Sequence, residues 1–200
     1  MRNIFFKHLK LILVWGIIFS LLAGIVTLFL PKQYSAQSQI LIISRDRSGV
    51  DPYTQAKSAE RIGENLSQVM KTNDFYKRVL SSSYSFDKDA WKKLPERKQR
   101  KNWDKDIETS VLFGTGLMSI NAYSKSKTDA VNLAAAVAQV ITSQGWEYVG
   151  GNVVIKYVSS PLTPRLPARP NFVLNILIGF GLGVVLASLW VSKYKKHHLI

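Results

Sequence analysis

Two uncharged apolar runs, Leu11–Leu30 (LILVWGIIFSLLAGIVTLFL) and Phe172–Val191 (FVLNILIGFGLGVVLASLWV), bracket an otherwise polar chain. A helix rises about 1.5 Å per residue, so roughly 20 residues cross the ~30 Å hydrocarbon core of a bilayer. A charge at the centre of such a helix costs about 2.5–3.5 kcal/mol, and neither run carries one. The first run is longer than the h-region of a cleaved secretory signal, about 7–15 residues. The second is too long for an ordinary core helix and is flanked by Arg169 and Lys193. The sequence therefore predicts a membrane hairpin with both termini on one side. Residues 1–10 precede the first transmembrane helix at 11–30, and a domain fills 31–160. A proline-rich segment at 161–170 leads into the second transmembrane helix at 171–192 and a tail at 193–200.

Charge says what the domain attracts. The formal net charge is +14, and every acid lies between Pro31 and Pro170, where bases still exceed acids by eight. A basic domain of this kind favours anionic surfaces or polymers: lipid headgroups, acidic polysaccharide or nucleic acid. Arg2, Lys7, Lys10, Lys193, Lys195 and Lys196 flank the spans on the terminal side, against Lys32, Arg45, Arg165 and Arg169 on the other. That bias tips the termini toward the cytoplasm, but long loops escape the rule, and charge alone leaves the side open. The chain has no cysteine, which excludes a disulfide framework, a thiolate metal site and a lipoprotein anchor.

Between the spans the pattern is mixed α and β. Tyr34–Ser44 alternates and then turns apolar on both faces, as a strand entering a sheet does. Arg45–Pro52 reads as a loop, and a helix is expected from about Gln55 to Lys71 on the spacing of Ala59, Ile62, Leu66, Val69 and Met70. Asn73 or Asp74 is positioned to cap a second helix carrying Phe75, Val79 and Leu80. The stretch from Phe86 to Glu108 is charged, helical in pieces and broken at Pro95. Ile107–Phe113 and Leu117–Tyr123 form a hairpin candidate about Gly114-Thr115-Gly116. Ser126 and Asp129 resemble a capping pair for a helix reaching Trp146, and Val153–Val158 reads as a last strand. The expected fold class is α+β: two transmembrane helices flanking a mixed α/β domain.

Catalytic constellations are not legible. The three histidines, His8, His197 and His198, all sit at the ends, so the domain holds no Ser–His–Asp triad and no histidine-ligated zinc. Asp104, Asp106 and Glu108 alternate, but Lys101 and Lys105 interleave with them. No catalytic residue, cofactor or metal site is predicted, and a non-enzymatic protein is expected.

The order of these features resembles the polysaccharide co-polymerases, or Wzz-type chain-length determinants. The points of likeness are a first span followed directly by YSAQSQILII and, late in the chain, TGLMSINAYSKSKTDAVNLAAAVAQVI. There Thr115–Asn121 matches the strand and Asp129-Ala130 opens the helix. A strand, a proline-rich stretch and a glycine-rich second span complete the order. The short domain looks like the compact capsule and exopolysaccharide versions. The resemblance implies a bacterial inner or plasma membrane protein with an extracytoplasmic domain and cytoplasmic termini. It also implies a homo-oligomeric scaffold acting with a polysaccharide polymerase and lipid-linked glycan. Some relatives carry a tyrosine kinase after the second span; no GxxxxGK[ST] loop occurs here, so a kinase is expected as a separate polypeptide. Two other readings stand beside this one: an adaptor that activates such a kinase, and an unrelated membrane-anchored binding protein. Nucleic acid is not an expected partner of an extracytoplasmic domain.

Four groups of residues are singled out as architectural or binding candidates. Pro161, Pro164, Pro167 and Pro170 fall every third residue, the period of a polyproline II rod. Gly16, Ser20 and Gly24 on the first span and Gly179 and Gly183 on the second are small residues at helix-packing spacing; Asn175 is the one strongly polar group of the second span. Trp91, Lys92, Lys93, Arg97, Lys98, Arg100, Lys101 and Trp103 interleave bases with indoles and suit acidic glycan or a membrane surface. Lys193, Tyr194, Lys195 and Lys196 are placed to anchor the inner leaflet or to contact a kinase.

Overall fold

In the computed structural model, residues 8–44, 51–150 and 153–194 are described, as two compact units: the two long apolar helices, and the domain Gln33–Ala168. The helix unit consists of α1 (Leu9–Phe29) and α8 (Phe172–Tyr194). Both are long and apolar enough to cross a membrane. Most of their leucine, isoleucine, valine and tryptophan side chains face outward, as side chains in contact with lipid do.

The domain is built on a four-stranded sheet in the order β2-β3-β1-β4, with every neighbouring pair antiparallel. The strands are β1 (Tyr34–Ser44), β2 (Ile107–Val111), β3 (Leu117–Ser124) and β4 (Val153–Leu162). In β1 the set Ala36, Ser38, Ile40, Ile42 and Ser44 is buried, while its odd-numbered neighbours stay partly or fully exposed. Side chains alternate faces along a strand, so one face of the sheet carries the core. Two helices cover it: α2 (Pro52–Val69) and α6 (Lys127–Gln144). Gly63 of α2 lies against Ile42, and the Ser38 hydroxyl donates to the Ala134 carbonyl of α6 at 3.4 Å. Ala130, Ala134, Ala136, Val137, Ala138 and Ile141 of α6 are fully buried. Small side chains on this stripe let the helix approach the sheet closely.

The β2–β3 hairpin forms in the expected place, with Leu112–Gly116 as its connection. Gly114 has φ of 71°, a backbone state that glycine adopts without strain. A Cβ on Gly116 would lie 2.0 Å from the Ile42 carbonyl oxygen, so only glycine allows the two backbones to meet here. The Ile42 N–H donates to the Gly116 carbonyl at 2.8 Å across that approach.

Several local boundaries differ from the sequence reading. Helix α2 starts at Pro52, three residues early, because Asp51 accepts from the Tyr53 and Thr54 amides and Pro52 needs no donor at the first position. Helix α3 (Asn73–Ser81) is capped by Thr72, whose hydroxyl accepts from the Phe75 amide at 3.4 Å. Asn73 and Asp74 lie inside it. Ser126 is the N-cap of α6 but makes no side-chain capping bond, so the Ser126–Asp129 pair does not close as a box. A short helix, α7 (Trp146–Val149), follows α6, and β4 runs on to Leu162 rather than stopping at Val158. The charged middle folds into α4 (Lys88–Lys92) and α5 (Glu96–Asp106) with Pro95 as the N-cap of α5.

Candidate functional site

The helix pair is tightly closed at its glycines. A Cβ on Gly183 would stand 2.6 Å from the Trp15 carbonyl oxygen and 2.9 Å from Gly16 Cα; one on Gly179 would stand 2.5 Å from Ala23 Cβ and 2.8 Å from the Phe19 carbonyl oxygen. Gly16 faces the Phe180 ring, where a Cβ would sit 2.8 Å away, whereas at Gly24 the nearest atom, on Phe172, is an ordinary 3.7 Å. Ser20 is half-buried. Because most of these obstructing atoms at Gly179 and Gly183 are backbone, they cannot rotate aside, and small residues are what permit the contact. A polar lock adds direction. Buried Thr27 donates to the Ala23 carbonyl at 2.6 Å and accepts from Asn175 Nδ2 at 3.1 Å. Such interhelical bonds average about 0.6 kcal/mol, enough to set register if not to drive association.

The basic run divides by exposure. Lys92, Arg97, Lys98, Arg100 and Lys101 are exposed on α4 and α5, and Lys93 is exposed on the turn between them; Arg100 reaches Glu96 at 3.5 Å, an exposed pair worth little. Trp103 corrects the sequence reading. Its side chain is 2% exposed, its Nε1–H donates to the Met70 carbonyl at 2.7 Å, and its ring meets Tyr76 edge-on at 5.2 Å and Trp91 at 5.9 Å. Trp91 is half-buried against the same core. The indoles therefore nail α4 and α5 to α3, and the cations alone face outward. The signal was present in the sequence: Trp103 is the only apolar residue of α5 (ERKQRKNWDKD), and a lone indole on a polar helix is its means of docking.

The proline stretch is not a straight rod. Pro161 belongs to β4, an edge strand whose outward N–H is dispensable. The chain then bends at Arg165-Leu166, and the Ala168 amide donates to the Gln33 carbonyl at 2.8 Å. That bond holds the end of the stretch beside the start of the domain. The Arg169–Pro170 peptide is cis. In the tail, Lys193 is exposed; Tyr194 closes α8, and Lys195 and Lys196 lie outside the described residues.

Carboxylates gather at one cavity of about 130 Å3, where Asp87, Asp106 and Asp129 share the lining with Gln33, Trp91 and Lys125. Asp106 accepts from Gln33 Nε2 at 3.3 Å, and Glu108 accepts from the Tyr123 hydroxyl at 2.9 Å. Among the described residues no three Asp, Glu or His side chains converge as metal ligands. Elsewhere several ionisable groups pair with one another. Arg78 bridges Asp74, Gln144 and Glu147. Burial, together with its bond to Asp74, pushes the Tyr148 phenol up to about 12. Buried Glu60 accepts from Lys57 Nζ at 3.0 Å and from the Gly114 amide at 3.1 Å, and these bonds hold its carboxyl below the usual range.

The fold defines a class: a mixed α+β domain in a chain with two helices, one near each end, that are long and apolar enough to cross a membrane. Residues 1–83 match the family model of the Wzz chain length determinant protein. The capsular polysaccharide type 5 biosynthesis protein cap5A of Staphylococcus aureus (strain Newman) is 25% identical over 192 residues, covering 95% of this chain and 81% of that protein. The type 8 biosynthesis protein cap8A of Staphylococcus aureus aligns with the same identity and coverage. Match and relatives together support a polysaccharide co-polymerase role for this chain.

Proposed function

We propose that this chain is a non-enzymatic regulator of surface polysaccharide chain length, acting as a homo-oligomeric membrane scaffold for polymerisation or export. The observation that carries the reading is the chain length determinant match over residues 1–83, the stretch that supplies α1, β1, α2 and α3. The relatives named for capsular polysaccharide biosynthesis align with nearly the whole chain, which supports extending the reading to the second helix.

In this reading residues 1–10 and 193–200 face the cytoplasm, 11–30 and 171–192 span the inner membrane, and 31–160 with the 161–170 connection face outward. The glycines of the helix pair set how the spans meet, and the exposed cations of α4 and α5 face acidic glycan or the membrane surface. The partners are further copies of the chain, a polymerase and its lipid-linked glycan. The test is the length distribution of surface glycan, resolved on a gel, from cells lacking this chain. A shifted or broadened distribution, restored by the wild-type gene, is the expected result; an unchanged distribution refutes the reading. A chain lacking residues 193–200 that still sets glycan length separates scaffolding from an adaptor acting on a cytoplasmic tyrosine kinase.

A further inference from the structure

At the β4 edge of the sheet, beside α6, lies a groove of about 250 Å3 with no charged group among the described residues that line it. One wall is Tyr157 of β4, which stands opposite Ile40 and so projects on the helix-covered side of the sheet. The other is Tyr84, from the loop joining α3 to α4. The floor is Ala135, Gln139, Thr142 and Ser143, spaced as one face of α6. The loop bearing Tyr84 is held at both ends. Asn132 Nδ2 donates to the Ser85 carbonyl at 2.6 Å, and Lys88 Nζ donates to the Ser82 carbonyl. The two phenols are near enough that Tyr84, after burial, helps raise the Tyr157 pKa.

The polar groups of this groove are held in reserve. Thr142 and Ser143 donate to carbonyls of their own helix, leaving hydroxyl lone pairs as acceptors. The Gln139 amide and both phenol hydroxyls form no hydrogen bond with any described residue. Two aromatic faces with an amide and hydroxyls at their edges, and no charge, match one kind of ligand well. The C–H faces of a pyranose ring stack on phenols, and its hydroxyls exchange hydrogen bonds with amides and hydroxyls. The volume lies below the ~300–1,000 Å3 of a drug-sized pocket and suits one sugar ring. Within a domain whose bases exceed its acids by eight, an uncharged groove gives no electrostatic preference for an acidic unit.

We propose that this groove binds a neutral pyranose unit of the surface polysaccharide, stacked between Tyr84 and Tyr157 and hydrogen-bonded by Gln139. The identity of the glycan rests on the co-polymerase reading; the chemistry of the groove does not. The groove gives each copy of the scaffold its own hold on the chain, separate from the cations of α4 and α5.

The test uses the full chain in detergent and, as probe, short end-labelled oligosaccharides cut from the producing cell's own surface polysaccharide, with fluorescence anisotropy as readout. Tyr84→Ala and Tyr157→Ala are each expected to raise Kd up to about tenfold, the size of one aromatic contact. Tyr157→Phe should retain most of the affinity, and Gln139→Trp, which fills the groove while leaving both walls, should abolish binding. Affinity should hold as salt is raised. The inference is overturned if the wild type does not bind the probe, if Gln139→Trp binds as wild type, or if binding vanishes with salt. Tyr157 is 44% exposed, so its variants are expected to fold, and Gln139→Trp decides the matter where a tyrosine variant does not. A gene deletion that shifts glycan length while groove variants bind normally sinks only this inference; an unchanged length distribution on deletion sinks the functional reading instead.

Discussion

Replacing Trp103 separates a surface role for the basic run from a structural one. The side chain is 2% exposed, packed edge-on against Tyr76 and Trp91, with its N–H spent on the Met70 carbonyl. Truncating a buried indole to alanine costs about 3–5 kcal/mol, since transfer free energy and a cavity are lost together. Trp103→Phe keeps a ring in the cluster and loses chiefly the hydrogen bond, at about 1–2 kcal/mol. For a chain of this size each kcal/mol moves the unfolding midpoint by roughly 2–4 °C. Trp103→Ala is therefore expected to lower Tm by roughly 6–20 °C and Trp103→Phe by roughly 2–8 °C, followed by circular dichroism on the full chain in detergent. A Trp103→Ala variant that unfolds within roughly 2 °C of wild type, well short of that range, while losing affinity for acidic glycan or anionic vesicles refutes the structural role.

The Tyr76 hydroxyl is buried without a partner among the described residues, so Tyr76→Phe removes a desolvated polar atom and should raise Tm by a few degrees, at about 1 kcal/mol; a lower Tm would mean that the hydroxyl is bonded. Glu60 has a folded-state pKa below its unfolded value, because Lys57 and the Gly114 amide favour the ionised form. Its contribution is complete above the unfolded value of 4.5 and is lost as pH falls through the lower folded value. Tm should fall with acid in that window, and Glu60→Gln should flatten the fall; an unaltered pH profile counts against the ion pair. Since the chain has no cysteine, a Thr27→Cys/Asn175→Cys pair reports on the helices alone. Oxidation should link the two helices within one chain, adding Gly179→Leu and Gly183→Leu should suppress the link, and a dimer-sized product would place the contact between chains.

What could be read from the sequence was whatever depends on one segment's own pattern. The lengths of Leu11–Leu30 and Phe172–Val191 predicted two membrane-length helices, because the hydrocarbon thickness sets a length that no other segment needs to supply. The hairpin about Gly114–Gly116 and the apolar stripe of α6 were legible for the same reason: a period of two or 3.6 is written locally. Capping was read less well, because Thr72 and Asn73 carry equally suitable side chains and the choice between them depends on the backbone entering the helix.

Tertiary structure alone decided which residues of a mixed segment face inward. As the lone apolar residue of α5, Trp103 carries a local cue that it docks, but only the packing of α4 and α5 on α3 decides that it and Trp91 are buried against Tyr76 rather than exposed for stacking. The prolines at every third residue read as a rod, yet sheet pairing takes Pro161 into β4 and the Ala168–Gln33 bond turns the remainder. Tyr84 and Tyr157 stand 73 positions apart in sequence, and no local pattern relates them; only the packing of α6 against β4 makes them two sides of one groove. Sequence fixes what a segment can bury by itself, while a site made of distant residues exists only once long-range contacts have repaid the entropy of bringing them together.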